Sequence, residues 1–122
     1  MPDPNFVLLY VESPSASAGF YAGLLGRDPV EVSPTFAMFA LQSGTRLGHW
    51  SRATVEPAAT APGGSEIAFE VGDADRVDAL HADWRRRGLP VAQAPTDMDF
   101  GRTFVALDPD GHRLRVFAPR AL

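Results

Sequence analysis

Residues 107–117, LDPDGHRLRVF, form a predicted tight turn that leads into a strand. Proline at the second position and glycine at the fourth position of Asp-Pro-Asp-Gly favour a β-turn. Residues 44–50, GTRLGHW, carry a similar turn and strand in the first half of the chain. Laying one stretch over the other pairs Gly48 with Arg115. This correspondence predicts that the chain consists of two related halves.

The rest of each half repeats the same elements in the same order. A strand-like run is followed by a helical stretch, over residues 15–25 in the first half and 74–87 in the second. Each helix is expected to stop at a glycine, Gly26 or Gly88, just past its last turn. The strands before the final one are predicted at residues 6–11, 28–30 and 36–41 and at residues 66–71, 89–91 and 103–107. This order predicts an α+β fold made of two tandem βαβββ modules.

The module boundaries follow from composition. Residues 5–52 and 64–119 carry the two modules, and residues 53–63, rich in Ala, Pro, Thr and Gly, are predicted to be a linker. About four strands and one helix are too few for either module to cover its own sheet. We therefore expect residues 1–122 to form one domain with a shared core.

Composition excludes several classes of function. The chain has 122 residues, 45% of them hydrophobic, and a net charge of −4. It contains no cysteine, and all 11 basic residues are arginine, which excludes disulfides, thiolate metal ligands and lysine Schiff bases. The acidic balance argues against nucleic-acid or membrane-surface binding, and no apolar run is long enough to span a bilayer. We expect a soluble cytoplasmic protein.

Two stretches resemble one known family. Residues 107–117 are similar to its Asp-Pro-Asp-Gly turn entering the last strand, and residues 10–21, YVESPSASAGFY, to its strand, turn and helix carrying a Phe-Tyr pair. On these motifs and the repeat, the chain resembles the glyoxalase / bleomycin-resistance / extradiol-dioxygenase superfamily, the vicinal oxygen chelate fold. The resemblance implies that the modules form an open, incomplete barrel. It also implies a homodimer, because short members of the family commonly complete their sites across a dimer.

The resemblance also identifies where a metal would be held. In the metalloenzymes of the family, His or Glu on the first and last strands of each module ligate a divalent ion. Those positions are Phe6, Gly48, Glu66 and Arg115 here, and only Glu66 offers a ligand atom. A shift of one residue at Gly48 would substitute His49, which still gives only two ligands beside a permanent cation. The sequence therefore predicts no metal, no cofactor and no catalytic residues.

Trp50 is the first predicted ligand-binding residue. It follows the fourth strand, where metal-free family members that sequester antibiotics place aromatic side chains to stack on flat ligands. The surrounding residues 47–52 resemble the corresponding strand of phenazine-resistance proteins. The alternative is a tryptophan at a rim or dimer interface with no ligand. His49 has the opposite parity and is expected to face the other side of the sheet, in a structural role.

A loop at residues 96–102 provides further candidates. In the family this loop lines the mouth of the cavity, where Met98 and Phe100 would form an apolar wall together with Phe104 from the next strand. The alternative is that Phe100 fills the core and that Arg102 pairs with a neighbouring aspartate at the surface.

Glu66 and Arg115 are the remaining candidates. They form either a structural salt bridge or the polar end of a ligand site, in which Arg115 receives a carboxylate or another polar oxygen. The function that follows is metal-independent binding of a small planar, largely apolar molecule, such as an aromatic antibiotic. The alternatives are a lyase, dioxygenase or isomerase with a divergent site, for which Glu66 would be a base, and a non-catalytic dimeric interaction protein.

Overall fold

A computed structural model describes residues 1–120 of the protein, which divides into two compact units. The first unit comprises residues 1–61, and the second begins at Pro62. The elements of the first are β1 (Phe6–Val11), α1 (Pro14–Leu25), β2 (Glu31–Val32), β3 (Phe36–Ala40) and β4 (Arg46–Ser51). Those of the second are β5 (Glu66–Glu70), α2 (Ala74–Arg86), β6 (Val91–Met98), β7 (Gly101–Leu107) and β8 (Arg113–Pro119). The predicted βαβββ order is confirmed in both units.

The two sheets share one topology. The first has the strand order β1-β4-β3-β2, and the second has the equivalent order β5-β8-β7-β6. In each, the first strand of the module pairs parallel with the last, and the other pairs are antiparallel. The helix packs on one face of its sheet. The other face of the first sheet carries Trp50, and the other face of the second carries Arg115.

Local signals set the helix limits. Ser13 caps α1 by accepting a hydrogen bond from the Ala16 N–H at 3.2 Å, and Asp73 caps α2 through the Arg76 N–H at 2.8 Å. Gly26 ends α1 in the left-handed region, with φ of 66°. A non-glycine residue adopts that conformation at a steric cost, so the glycine stop has a physical basis. The predicted helices agree with the structure to within one residue at each end.

His49 belongs to the core of the first unit. It is completely buried, and its ring centroid lies 4.5 Å from that of Tyr21 on α1 and 5.9 Å from that of Phe39. Its neighbour Trp50 is only half-buried and contacts Phe36 on the opposite face. The alternation expected for these two residues therefore holds, and His49 faces α1.

Phe104 belongs to the core of the second unit, which differs from its expected place in a cavity wall. It is completely buried, with Trp84 and His81 of α2 at centroid distances of 5.3 and 5.4 Å. The β7–β8 register pairs Phe104 with Val116 on the helix side. Phe104 therefore has no surface to offer a ligand.

The Asp-Pro-Asp-Gly motif is a structural turn. Asp108 is 4% exposed, and its Oδ1 accepts hydrogen bonds from the backbone N–H groups of Asp110 and His112 at 2.9 and 2.8 Å. Gly111 follows with φ of 88°, where glycine avoids the steric cost of a side chain. The Asp-Pro-Asp-Gly turn therefore positions the start of β8, and with it Arg115.

The second strand of the first unit and the loop between β6 and β7 differ from their sequence-based prediction. The second strand is at Glu31–Val32 instead of residues 28–30, because pairing to β3 begins only with the Val30 N–H, which donates to the Met38 carbonyl at 2.8 Å. Strand β6 extends to Met98, so the predicted loop at residues 96–102 shrinks to Asp99 and Phe100. Cross-strand pairing of β6 with β7 carries the ladder through most of that stretch.

Within residues 1–120, neither helix is long and apolar enough to cross a membrane.

Candidate functional site

The face of the first sheet turned away from α1 exposes an apolar surface. Phe6, Leu8 and Tyr10 alternate along β1 and are 41%, 42% and 40% exposed. Register places Gly48 beside Leu8 and Trp50 beside Tyr10 on β4. Large exposed apolar side chains grouped on one face are typical of a binding surface.

Gly48 allows three of these side chains to approach the strand closely. A Cβ atom at this position would lie 2.8 Å from Cδ2 of Leu8, 2.9 Å from Cζ of Phe36 and 3.0 Å from Cε1 of Phe6. Such distances are shorter than ordinary van der Waals contact, so a side chain here would push the three apart. Gly48 thus allows Phe6, Leu8 and Phe36 to pack over β4, where they line an apolar pocket.

The pocket has a volume of about 470 Å³. It is lined by Phe6, Leu8, Phe36 and Trp50, and by the polar residues Glu31, Ser33 and Thr35. Phe36 and Trp50 contact edge to face, with centroids 6.4 Å apart and rings at 89°. Mostly apolar walls with a few polar groups, at a volume of about 300–1,000 Å³, characterise small-molecule sites. The sequence predicted Trp50 as a ligand-binding residue and placed Phe6 at a metal position, but it did not identify the other five lining residues as site residues.

A charged pair occupies the corresponding face of the second sheet. Arg115 donates from Nε to Oε1 of Glu66 at 2.5 Å and from Nη2 to Oε2 at 3.3 Å. The side chains are 18% and 32% exposed, respectively. This is a two-pronged contact of the kind that guanidinium and carboxylate groups form readily. The structure therefore contains the predicted salt bridge.

Gln93 links this pair to Met98. Nη1 of Arg115 donates to Oε1 of Gln93 at 3.2 Å and to Oγ1 of Thr103 at 3.1 Å, and Nε2 of Gln93 donates to Sδ of Met98 at 3.5 Å. Three of the predicted site residues, Glu66, Met98 and Arg115, are thereby joined in one network. Sequence reasoning missed Gln93 and Thr103, because their role depends on cross-strand register.

The hairpin between β6 and β7 supplies the remaining candidates. Phe100 is 44% exposed and contacts Phe117 edge to face at 6.0 Å, so it lies at the surface and does not fill the core. Arg102 donates to Oδ1 of Asp78 at 2.8 Å and to Oδ1 of Asp97 at 3.0 Å. These hydrogen bonds, led by the one to Asp78, raise the pKa of Arg102. Arg102 pairs with a neighbouring aspartate, as its alternative role predicts, and also ties β7 to α2.

The four positions that would hold a metal in this fold do not fit one. Phe6 and Gly48 carry no ligand atom, and Glu66 is engaged by the guanidinium of Arg115. A permanent cation at hydrogen-bond distance opposes the binding of a second cation at the same carboxylate. Across residues 1–120, no three His, Cys, Asp or Glu side chains are grouped so that they could hold a metal ion.

Comparison with known proteins identifies the family. The model of the Glyoxalase/Bleomycin resistance protein/Dioxygenase superfamily matches residues 4–116. The chain therefore belongs to this superfamily, as its turn and repeat motifs predict.

Three individual proteins are similar to this chain over most of its length. The chain is 34% identical over 116 residues to the phenazine antibiotic resistance protein EhpR of Enterobacter agglomerans, covering 93% of this chain and 89% of that protein. A protein of Agrobacterium tumefaciens solved by NMR in solution is 52% identical, with a TM-score of 0.92 over 99% of this chain and 100% of that one. A glyoxalase-related enzyme from Fulvimarina pelagi shares the fold at 22% identity, with a TM-score of 0.83 over 97% of this chain and 88% of that one.

Proposed function

We propose that the protein binds a small planar, largely apolar molecule, of the kind represented by aromatic antibiotics, in the pocket of the first unit. The observation that carries the proposal is the pairing of the half-buried Trp50 indole with Phe36 in the wall of this pocket. A planar ring system placed there would contact aromatic faces and edges, which adds about 0.5–1.5 kcal/mol per ring pair to the gain from buried area.

The resemblance to a phenazine antibiotic resistance protein supports this ligand class. Phenazine is a flat three-ring heterocycle, whose faces can stack on the aromatic side chains that line the pocket. The identity of 34% extends over most of both chains. Phenazine is therefore the first ligand to test.

The proposal includes independence from metal ions. A metal would need ligands where the chain has Phe6, Gly48 and Arg115, and Arg115 instead provides a fixed positive charge held by Glu66. Binding would then depend on stacking and burial, because no ion is available to coordinate ligand oxygens. Glu66 and Arg115 are engaged with each other, which supports the structural alternative for that pair.

Titration with phenazine is expected to quench the fluorescence of Trp50 saturably. The chain has only one other tryptophan, Trp84, which is 5% exposed and packs against Phe69 and Phe104. Trp50→Ala removes one wall of the pocket and is expected to weaken binding about tenfold or more, measured by equilibrium dialysis.

Matched Trp→Phe variants locate the signal. Trp84→Phe leaves Trp50 as the only indole and should retain the quenching, whereas Trp50→Phe should lose most of it. Thermal unfolding of each variant confirms that it is folded. The proposed function is wrong if phenazine and related planar ligands produce no saturable signal, or if the quenching persists in Trp50→Phe and disappears in Trp84→Phe.

Metal loading tests the second part of the proposal. After incubation with nickel, zinc, manganese or ferrous ions and dialysis, elemental analysis is expected to find far less than one ion per chain. The physical reason is that a single engaged carboxylate cannot hold a divalent ion against dialysis. Retention of one ion per chain, lost on Glu66→Gln, would instead indicate a metal-dependent enzyme of this superfamily.

A further inference from the structure

Glu31 is the one charged residue among those that line the pocket. It lies on β2, where register pairs it with Met38, and Met38 in turn pairs with Gly48 of β4. Residues paired across strands project to the same face of a sheet. The side chain of Glu31 therefore lies on the same face as the aromatic walls.

The Glu31 carboxylate is uncommitted within residues 1–120. Ion pairs in this part of the chain engage the carboxylates of Glu66, Asp78, Asp83 and Asp97, and no hydrogen bond to the Glu31 side chain occurs there. Ser33, on the same wall, is already used, because its Oγ donates to the Phe36 carbonyl and accepts from the backbone N–H groups of Thr35 and Phe36. Glu31 is thus the strongest acceptor that the pocket offers to a ligand.

Positive charges near this face do not line the pocket. Arg46 pairs with Phe6 in the β1–β4 register, but it is not among the lining residues. Arg27 is committed to the Ala40 carbonyl, to which its Nη1 donates at 2.7 Å. The polar side of the pocket is therefore acidic. The hypothesis that Arg115 receives a ligand carboxylate would instead require an anionic ligand.

We propose that the pocket prefers planar aromatics that carry a cationic or N–H-donating substituent, with Glu31 as the residue that determines this specificity. The inference rests on the proposed function and refines its ligand class. A carboxylate at the pocket wall would accept a charge-assisted hydrogen bond from an amino or ring N–H group. It would repel an anionic ligand of the same shape.

Three flat tricyclic probes of different charge test this preference: phenazine, which is neutral, proflavine, which is cationic near neutral pH, and phenazine carboxylate, which is anionic. Affinities for the natural protein, measured by equilibrium dialysis, are expected to fall in the order cation, neutral, anion, with proflavine about tenfold tighter than phenazine. Glu31→Gln should remove that advantage, so that proflavine and phenazine bind with similar affinities. Added salt should weaken proflavine binding more than phenazine binding.

Asp28→Asn is the matched control. It removes the same charge from an exposed residue of the same unit that does not line the pocket, so it should leave all three affinities unchanged. The inference is overturned if Glu31→Gln and Asp28→Asn affect proflavine equally, or if phenazine carboxylate binds more tightly than phenazine. Binding of phenazine without a preference for proflavine overturns the role of Glu31 alone. Absence of binding by all three probes overturns the proposed function as well.

Discussion

Replacing Gly101 with alanine is expected to destabilise the protein by at least about 3 kcal/mol, or to prevent folding of the second unit. Gly101 has φ of 146°, and a Cβ atom there would lie 2.0 Å from the carbonyl oxygen of Ala118 and 2.9 Å from the backbone nitrogen of Arg120. Those atoms are held in place, since the Arg120 N–H donates to the Phe100 carbonyl at 2.7 Å. Relief requires β7 and β8 to separate. Chemical denaturation monitored by circular dichroism measures the effect.

Gly72→Ala provides the control for the loss of a glycine. An added Cβ at Gly72 meets nothing within 4 Å, and its φ lies outside the left-handed region. The change should be neutral or stabilise by up to about 1 kcal/mol, because alanine restricts the unfolded chain. Equal unfolding midpoints for Gly101→Ala and Gly72→Ala would show that β7 and β8 do not approach each other at Gly101 as closely as described.

Phe104→Ala is expected to cost about 3–5 kcal/mol of stability without a loss of phenazine affinity in the protein that remains folded. Phe104 is completely buried against Trp84 and His81, so its removal leaves a cavity under α2. That loss is a large part of the total of about 5–15 kcal/mol that is typical of a domain. Denaturant unfolding gives the stability, and dialysis below the unfolding transition gives the affinity.

Phe100→Ala is the matched aromatic truncation. Phe100 is 44% exposed and contacts Phe117 only at its edge, so the stability loss should not exceed about 1 kcal/mol. Phe104→Leu, which keeps much of the side-chain volume, provides a folded variant if Phe104→Ala does not fold. If folded Phe104→Leu binds phenazine more weakly at unchanged stability, Phe104 contributes to the ligand site.

The repeat in the sequence was sufficient to predict the fold. Strand-like runs, helix caps and the turn at Asp108 are encoded by neighbouring residues, so both βαβββ units and their helix limits could be predicted from local signals. The position of the short β2 strand could not be predicted in this way, because two residues are too few to show a period. The extent of β6 was also missed, since its continuation depends on pairing with β7.

The candidate site was only partly accessible from sequence. Alternation along β4 separated Trp50 from His49, and the family positions brought Glu66 and Arg115 together. Phe104 was misplaced because β7 is buried on both faces, with Thr103 and Val105 as inaccessible as Phe104 itself. Such a strand shows no apolar–polar alternation from which a facing direction can be inferred. A homodimer, a single shared domain and a cytoplasmic location remain predictions.

Sequence alone determined the paired modules, the helix and turn signals and the lack of metal ligands at the family positions, because each depends on residue identity or on neighbours along the chain. Tertiary structure decided which side chains share a face and which contacts they make. It brought Phe6, Leu8 and Phe36 together over Gly48 and placed Glu31 in the wall of the pocket that they line. The physical reason is that strand register, and the sheet face turned toward the helix, bring together residues far apart in the chain.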